Sequence, residues 1–148
     1  MKTARTAMVF LLLAYAGPGH AALGGLPEQF DAASTVVEAK RSAAGSAYLV
    51  RATTLDTGTL VREYLADGGR VFALSWEGPV LPDLRALLGK YFELMVAESA
   101  RRPRAGRSHL GVDVPEVVIH SGGRMRAFEG SAWIPAQLPA GFGDADLR

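Results

Sequence analysis

The string in this chain that most resembles catalytic machinery is Asp56-Thr57-Gly58, inside "TTLDTGTLVREY". Two such aspartates can share one proton, and their proximity drives their pKa values apart, which is acid–base chemistry fit to activate water against a peptide bond. One copy per chain would require a homodimeric aspartic-type peptidase built on Asp56. The context argues against it. Thr54 and Leu55 precede Asp56 where two apolar residues suit the motif, and the companion Leu87-Leu88-Gly89 falls in a helical pattern, not a strand. A tight turn accounts for every residue: Asp56 can accept hydrogen bonds from nearby amides, and Gly58 can take a positive φ.

Other constellations are thinner. His109 and His120 are 11 residues apart with no Cys in the chain, which matches no compact metal-ligand spacing. Ser121 adjoins His120, but a triad needs convergence in space with a third group, and no Gly-x-Ser-x-Gly occurs. Gly122-Gly123-Arg124 is too short for a phosphate loop and opens a strand pattern where such a loop opens a helix. Arg101, Arg102, Arg104 and Arg107 form the densest charge cluster. They are candidates for binding an anionic partner, such as lipid headgroups or an acidic polymer, and equally suit a solvated loop after a helix C-terminus. No aromatic residues are interleaved with them, so nucleic acid is unsupported as a partner. No metal or other cofactor is expected.

The elements that must position these residues follow from periodicity. "YLVRATTL", "TLVREYLA" and "RVFALSW" are short, β-branched and aromatic, and are separated by Asp56-Thr57-Gly58 and Asp67-Gly68-Gly69. They predict an antiparallel meander. Leu60, Arg62 and Tyr64 take one side of the second strand, Val61, Glu63 and Leu65 the other; in the third, Phe72, Leu74 and Trp76 share a side. Residues 83 to 100 predict one long amphipathic helix. Leu84, Leu87, Leu88, Tyr91, Phe92, Leu94 and Met95 fall on one arc, with Arg85, Gly89, Lys90 and Glu93 opposite. "PEVVIHS" and "RMRAFEGSAWIP" predict a C-terminal hairpin joined at Gly122-Gly123. The repeat of Gly-Gly-Arg-x-x-Ala at 68 to 73 and 122 to 127 is expected to reflect the same turn used twice. Residues 35 to 45 suit a short strand or a helical turn. The tail is expected to be extended, with a final turn at Asp144 to Leu147. The fold class is therefore α+β: an antiparallel sheet, meander plus hairpin, with one helix packed on a face.

The N-terminus sets the compartment. Lys2 and Arg5 precede the uncharged run "AMVFLLLAYA", then Gly17-Pro18 and the small-residue site ending at Ala21. This is the pattern of a secretory signal peptide, and the run is shorter than the roughly 18 to 20 apolar residues that span a bilayer. Cleavage after Ala21 leaves 127 residues with no membrane span. Taking Lys2 and Arg5 from the 16 basic residues leaves 14 against 15 acidic, so the remainder is close to neutral. With no Cys, an exported chain must hold together by packing alone, which suits a periplasm or secretion from a bacterium. The expected organisation is a signal peptide at 1–21, a flexible arm at 22–34, a single domain at 35–138 and a tail at 139–148.

"ALGG" after the cleavage site, "TTLDTGTLVREY", "GRVFALSWEGPVLPDLRALLG" and "SGGRMRAFEGSAWIP" together resemble an exported proteobacterial family, the domain of unknown function 2844. The stretch from Val71 to Gly89 is the most specific part. The resemblance implies a small exported single-domain protein, and it transfers no catalytic or binding residue. The function expected is a non-enzymatic envelope or secreted accessory protein that binds another macromolecule. The alternatives are the dimeric peptidase and a small-ligand carrier using the space between helix and sheet.

Overall fold

The computed structural model describes residues 23–101 and 109–147. The expected signal peptide at 1–21 and three of the four clustered arginines (Arg102, Arg104 and Arg107) lie outside them. Seven strands form one antiparallel sheet: β1 (Ala32–Arg41), β2 (Ala47–Leu55), β3 (Leu60–Leu65), β4 (Val71–Gly78), β5 (Leu110–Val114), β6 (Val117–Arg124) and β7 (Ala127–Trp133). Their order is β1-β2-β3-β4-β7-β6-β5. Two meanders thus meet at the β4–β7 seam. The chain reaches the far edge, β5, through the helical segment, α1 (Leu84–Leu88) and α2 (Phe92–Arg101). The α+β class expected from the sequence is the observed one. Among the described residues no helix is long and apolar enough to cross a membrane.

Alternation assigns the faces. Val61, Leu74, Val112, Ile119 and Ala132 point to the helix side, where Leu84, Leu87, Leu88 and Met95 close the main core. Each such side chain contributes roughly 1.5–3 kcal/mol when fully buried. Asp83 starts α1 as a true N-cap, its carboxylate accepting from the Arg85 and Ala86 amides at 2.9 and 3.1 Å. The helix is not continuous, as the apolar arc alone suggested. Gly89 takes φ 52° at the end of α1, and a 3-10 turn over Gly89–Tyr91 re-aims the chain into α2. Glycine permits that conformation at little cost. Beyond the kink only Met95 is buried, and Tyr91, Phe92 and Leu94 are half-buried.

Two strand assignments need correction. Phe72 does not share a side with Leu74 and Trp76. Leu65 pairs with Val71 and Tyr64 with Ala73, so Phe72 is the extra residue of a bulge that turns it to the opposite face. Gly122 and Gly123 lie inside β6, and the β6–β7 turn comes two residues later, at Met125-Arg126, with Arg126 at φ 67°. Gly68-Gly69 does form a turn, with Gly69 at φ 70°, so the two Gly-Gly-Arg copies do different work. Of the two readings open for residues 35–45, the strand is the observed one: residues 35–41 belong to β1, which begins at Ala32.

The second face carries its own small core. Phe72, Tyr48 and Tyr64 meet Phe142 of the C-terminal tail, with Phe72 and Phe142 edge to face at 5.0 Å. The tail is pinned further by Ser42 Oγ donating to the Ala140 carbonyl and by Tyr48 donating to Asp146 at 3.1 Å. Burial, aided by the Asp146 carboxylate, pushes the Tyr48 phenol up to about 12. The 3-10 turn expected at the end runs over Asp144–Leu147.

The first described residues, which fall in the arm expected at 22–34, make specific contacts with the sheet and with α1. Leu23 is 2 % exposed, and Leu23 and Gly24 donate to the Leu87 and Val71 carbonyls. Further along, the Glu28 amide donates to Glu63 at 2.8 Å, and Arg51 bridges the Glu28 carbonyl and the Glu63 carboxylate. Burial raises the Glu63 carboxyl above its ordinary 4.5, against the opposing pull of the Glu28 amide and of Arg51. A carboxyl that holds its proton more tightly folded than unfolded stabilises the fold fully below the unfolded value, and that contribution is lost as pH rises through the folded value. Glu63→Gln keeps the shape without ionising. Its melting temperature should gain on the wild type as pH rises from about 4 to about 8. A gap moving the other way in melts across that range would show that the Arg51 pairing outweighs burial.

Candidate functional site

Asp56 lies at the exposed tip of the β2–β3 hairpin. The Leu55 amide donates to the Thr59 carbonyl, Gly58 donates to the Leu55 carbonyl, and Gly58 has φ 82°. Among the described residues the Asp56 side chain accepts no hydrogen bond, so the amide-holding role expected for it is not seen. The motif residue that holds structure is Thr59. It is fully buried, and its hydroxyl donates to the Val80 carbonyl at 2.6 Å and accepts from the Val80 amide, tying the hairpin to the chain leaving β4. A cleft of about 400 Å³ beside the hairpin gathers Glu28, Asp31, Asp56 and Asp83. No carboxylate–carboxylate hydrogen bond forms there among the described residues. Leu87 and Leu88 are helical, as expected, and Gly89 ends α1. Asp56→Asn should change stability by less than about 0.5 kcal/mol, whereas Gly58→Val should cost roughly 1–3 kcal/mol by forcing a β-branched residue to positive φ. Denaturant titration of both reads this out. Pepstatin-sensitive casein cleavage that Asp56→Asn lacks would instead establish the peptidase.

The remaining candidates separate. Arg101 ends α2, is exposed, and pairs with Glu98 one turn back. Ser121 and His120 point to opposite faces of β6, since His120 pairs with Ser131 and Ser121 with Gly130. Ser121 is therefore not a nucleophile for its neighbour. Both His109 and His120, unrelated by sequence spacing, line one groove. Among the described residues no group of three or more potential ligands could hold a metal there or elsewhere.

That groove, about 610 Å³, lies on the face away from the helix. Its floor is built by register. Arg62 pairs with Ser75, Ser75 with Ser131, and Ser131 with His120, giving one polar row across β3, β4, β7 and β6. The next row holds Glu77 and Glu129, directly opposite one another. On the other side of the polar row lies Trp133, whose ring meets His120 edge to face at 5.2 Å. Arg62 bridges to Glu77 at 3.1 Å, which offsets part of the repulsion between the two glutamates. Asp144 and Leu147 of the tail form a wall. The tail thus roofs the aromatic half of this face and leaves the polar half open. Hydroxyls, an imidazole, carboxylates and an indole side by side can hydrogen-bond and stack on a polar ligand. Among the described residues His120 makes no hydrogen bond to Ser75 or Ser131, so the base–nucleophile contact that acyl transfer uses is not in place.

Sequence reasoning missed Arg62, Ser75, Glu129, Ser131 and Trp133. A signal existed: Glu129, Ser131 and Trp133 alternate with the small residues Gly130 and Ala132. Period-two polarity marks a face but not its neighbours, and only the β4–β7 pairing makes the row.

The molecule is thus an α+β protein with a helix-packed apolar sheet face and a polar groove on the other. Residues 19–147 match the family model described as protein of unknown function DUF2844, and the chain belongs to that family. No curated protein and no solved structure matched the chain.

Proposed function

We propose that this is an exported, non-enzymatic binding protein of the bacterial envelope or exterior, and that part of another macromolecule lies in the open groove. The observation that carries it is the contrast within one sheet face: the tail covers the aromatic half, while His120 is exposed and Arg62 and Ser131 are half-buried around Ser75 at the floor of the groove. A polar row with an adjoining indole offers oriented donors and acceptors around a stacking surface, the usual composition of a specific site. The leader pattern supports export. Intact mass of protein recovered from periplasm or medium should lack residues 1–21, and a mass retaining them would contradict export.

The groove is tested by capture from an envelope extract. The wild type, a His120→Ala/Ser131→Tyr variant that alters and fills the groove, and a Met125→Ser control at an exposed hairpin tip are immobilised in parallel. A component should be retained by wild type and control and be depleted at least about tenfold by the groove variant, the loss of about 1.4 kcal/mol of binding. Equal retention by all three would sink the groove as the site. Hydrolysis of a simple ester that His120→Ala abolishes would move the protein to the hydrolases.

A further inference from the structure

Strand β1 is the edge of the sheet, ten residues long, with nine exposed and the tenth half-buried. Its inner edge pairs with β2 along its length, and among the described residues its outer edge has no backbone partner. Val36 and Val37 stand at its centre, 54 % and 59 % exposed, on opposite faces of the sheet. Natural edges are usually blunted by brevity, proline, a central bulge or inward charge. The opposite edge, β5, has only five residues. β1 has no proline, and its one irregularity lies at its start, between Ala32 and Ser34. A bare edge of this length, with apolar residues on both faces, suits strand addition better than a partner covering either face.

The strand's own sequence selects the occupant. In antiparallel self-pairing about a two-fold axis normal to the sheet, one residue lies opposite its own copy. Centring on Glu38 or Lys40 sets like charges face to face, which is destabilising. Centring on Val37 sets Val37 against Val37, Val36 against Glu38, Thr35 against Ala39 and Ser34 against Lys40. No like charges then oppose, and nearly the whole strand is used. Pairing β1 with a second chain's β5 would match ten residues to five and propagate without closing.

We infer that β1 pairs antiparallel with β1 of a second copy, centred on Val37, to make a closed dimer with one continuous sheet. The axis is normal to the sheet, so both polar grooves open on the same side. A ligand with repeated recognition elements could then engage both grooves, with the gain in avidity that follows. The pairing itself does not depend on what the grooves bind.

Three measurements test it on the protein as recovered from expressing cells. Sedimentation equilibrium should give a dimer for the wild type and a monomer for Val37→Lys, which sets two charges opposite each other. Circular dichroism and melting of Val37→Lys should match the wild type, because Val37 is exposed. The chain has no Cys, so a single introduced thiol reports the contact. Val37→Cys should form an intermolecular disulfide under mild oxidation. Val36→Cys should not, since its copy would be offset by two residues, beyond disulfide reach. A monomeric wild type, a Val37→Lys protein that remains dimeric, assembly beyond the dimer, or cross-linking of Val36→Cys in preference to Val37→Cys would each overturn the pairing.

Discussion

Leu88→Asp should unfold the protein. Leu88 has no exposed surface, lies in the last turn of α1, and belongs to the main core with Leu84, Leu87 and Met95. Aspartate there loses about 2 kcal/mol or more of apolar burial. It also places a carboxyl among apolar groups with no partner, which forces it to take up a proton or to open the core. The combined loss, at least about 4 kcal/mol, is a large share of the 5–15 kcal/mol that holds a typical domain. Lys90→Asp is the control on the exposed side. Lys90 lies over the Tyr91 ring at 4.9 Å, so its loss should cost about 0.5–1 kcal/mol and leave the fold intact. Equal melting curves for the two variants would show that the buried side of α1 is misassigned.

Gly130→Ala should cost about 3 kcal/mol, at the upper end for one added methyl. A Cβ on Gly130 would fall within the indole of Trp76, on atoms Cζ2 and Cε2, and 2.6 Å from the His120 carbonyl oxygen. Trp76 is 1 % exposed and packed under the helix, so it cannot swing away without vacating core volume. The alternative is to part β7 from β6, which would break the row that carries Ser131 and His120. The nearer of the two ring atoms in conflict, Cζ2, is one that phenylalanine lacks. Trp76→Phe/Gly130→Ala should therefore be more stable than the two single effects add up to, a coupling of at least about 1 kcal/mol in a double-mutant cycle. Strict additivity would mean that the indole does not set the limit at Gly130. The indole Nε1 is buried without a hydrogen-bond partner, so part of the Trp76→Phe loss should be offset by removing that orphaned donor.

The sequence alone determined what local chemistry determines. Alternation in residues 59–66 set the sides of β3, and Asp83 before an apolar arc set the start of α1, because side-chain period and capping depend on neighbours a few residues away. The Gly58 and Gly69 turns were legible for the same reason, as positive φ is a property of one residue. The pattern failed where an element answers to a distant partner. The bulge at Phe72 exists because one extra residue lets Phe72 meet Tyr48, Tyr64 and Phe142 while Leu74 and Trp76 stay under the helix, and nothing in "RVFALSW" announces that. Leu23 reads as part of an arm until Leu87 and Val71 are brought beside it. Alternation marked one polar strand of the groove, at Glu129, Ser131 and Trp133, but not its neighbours. Arg62, Ser75, Ser131 and His120 lie up to 69 positions apart in the chain (131 − 62), and strand order, decided by how two meanders join at β4 and β7, is what sets them in one row.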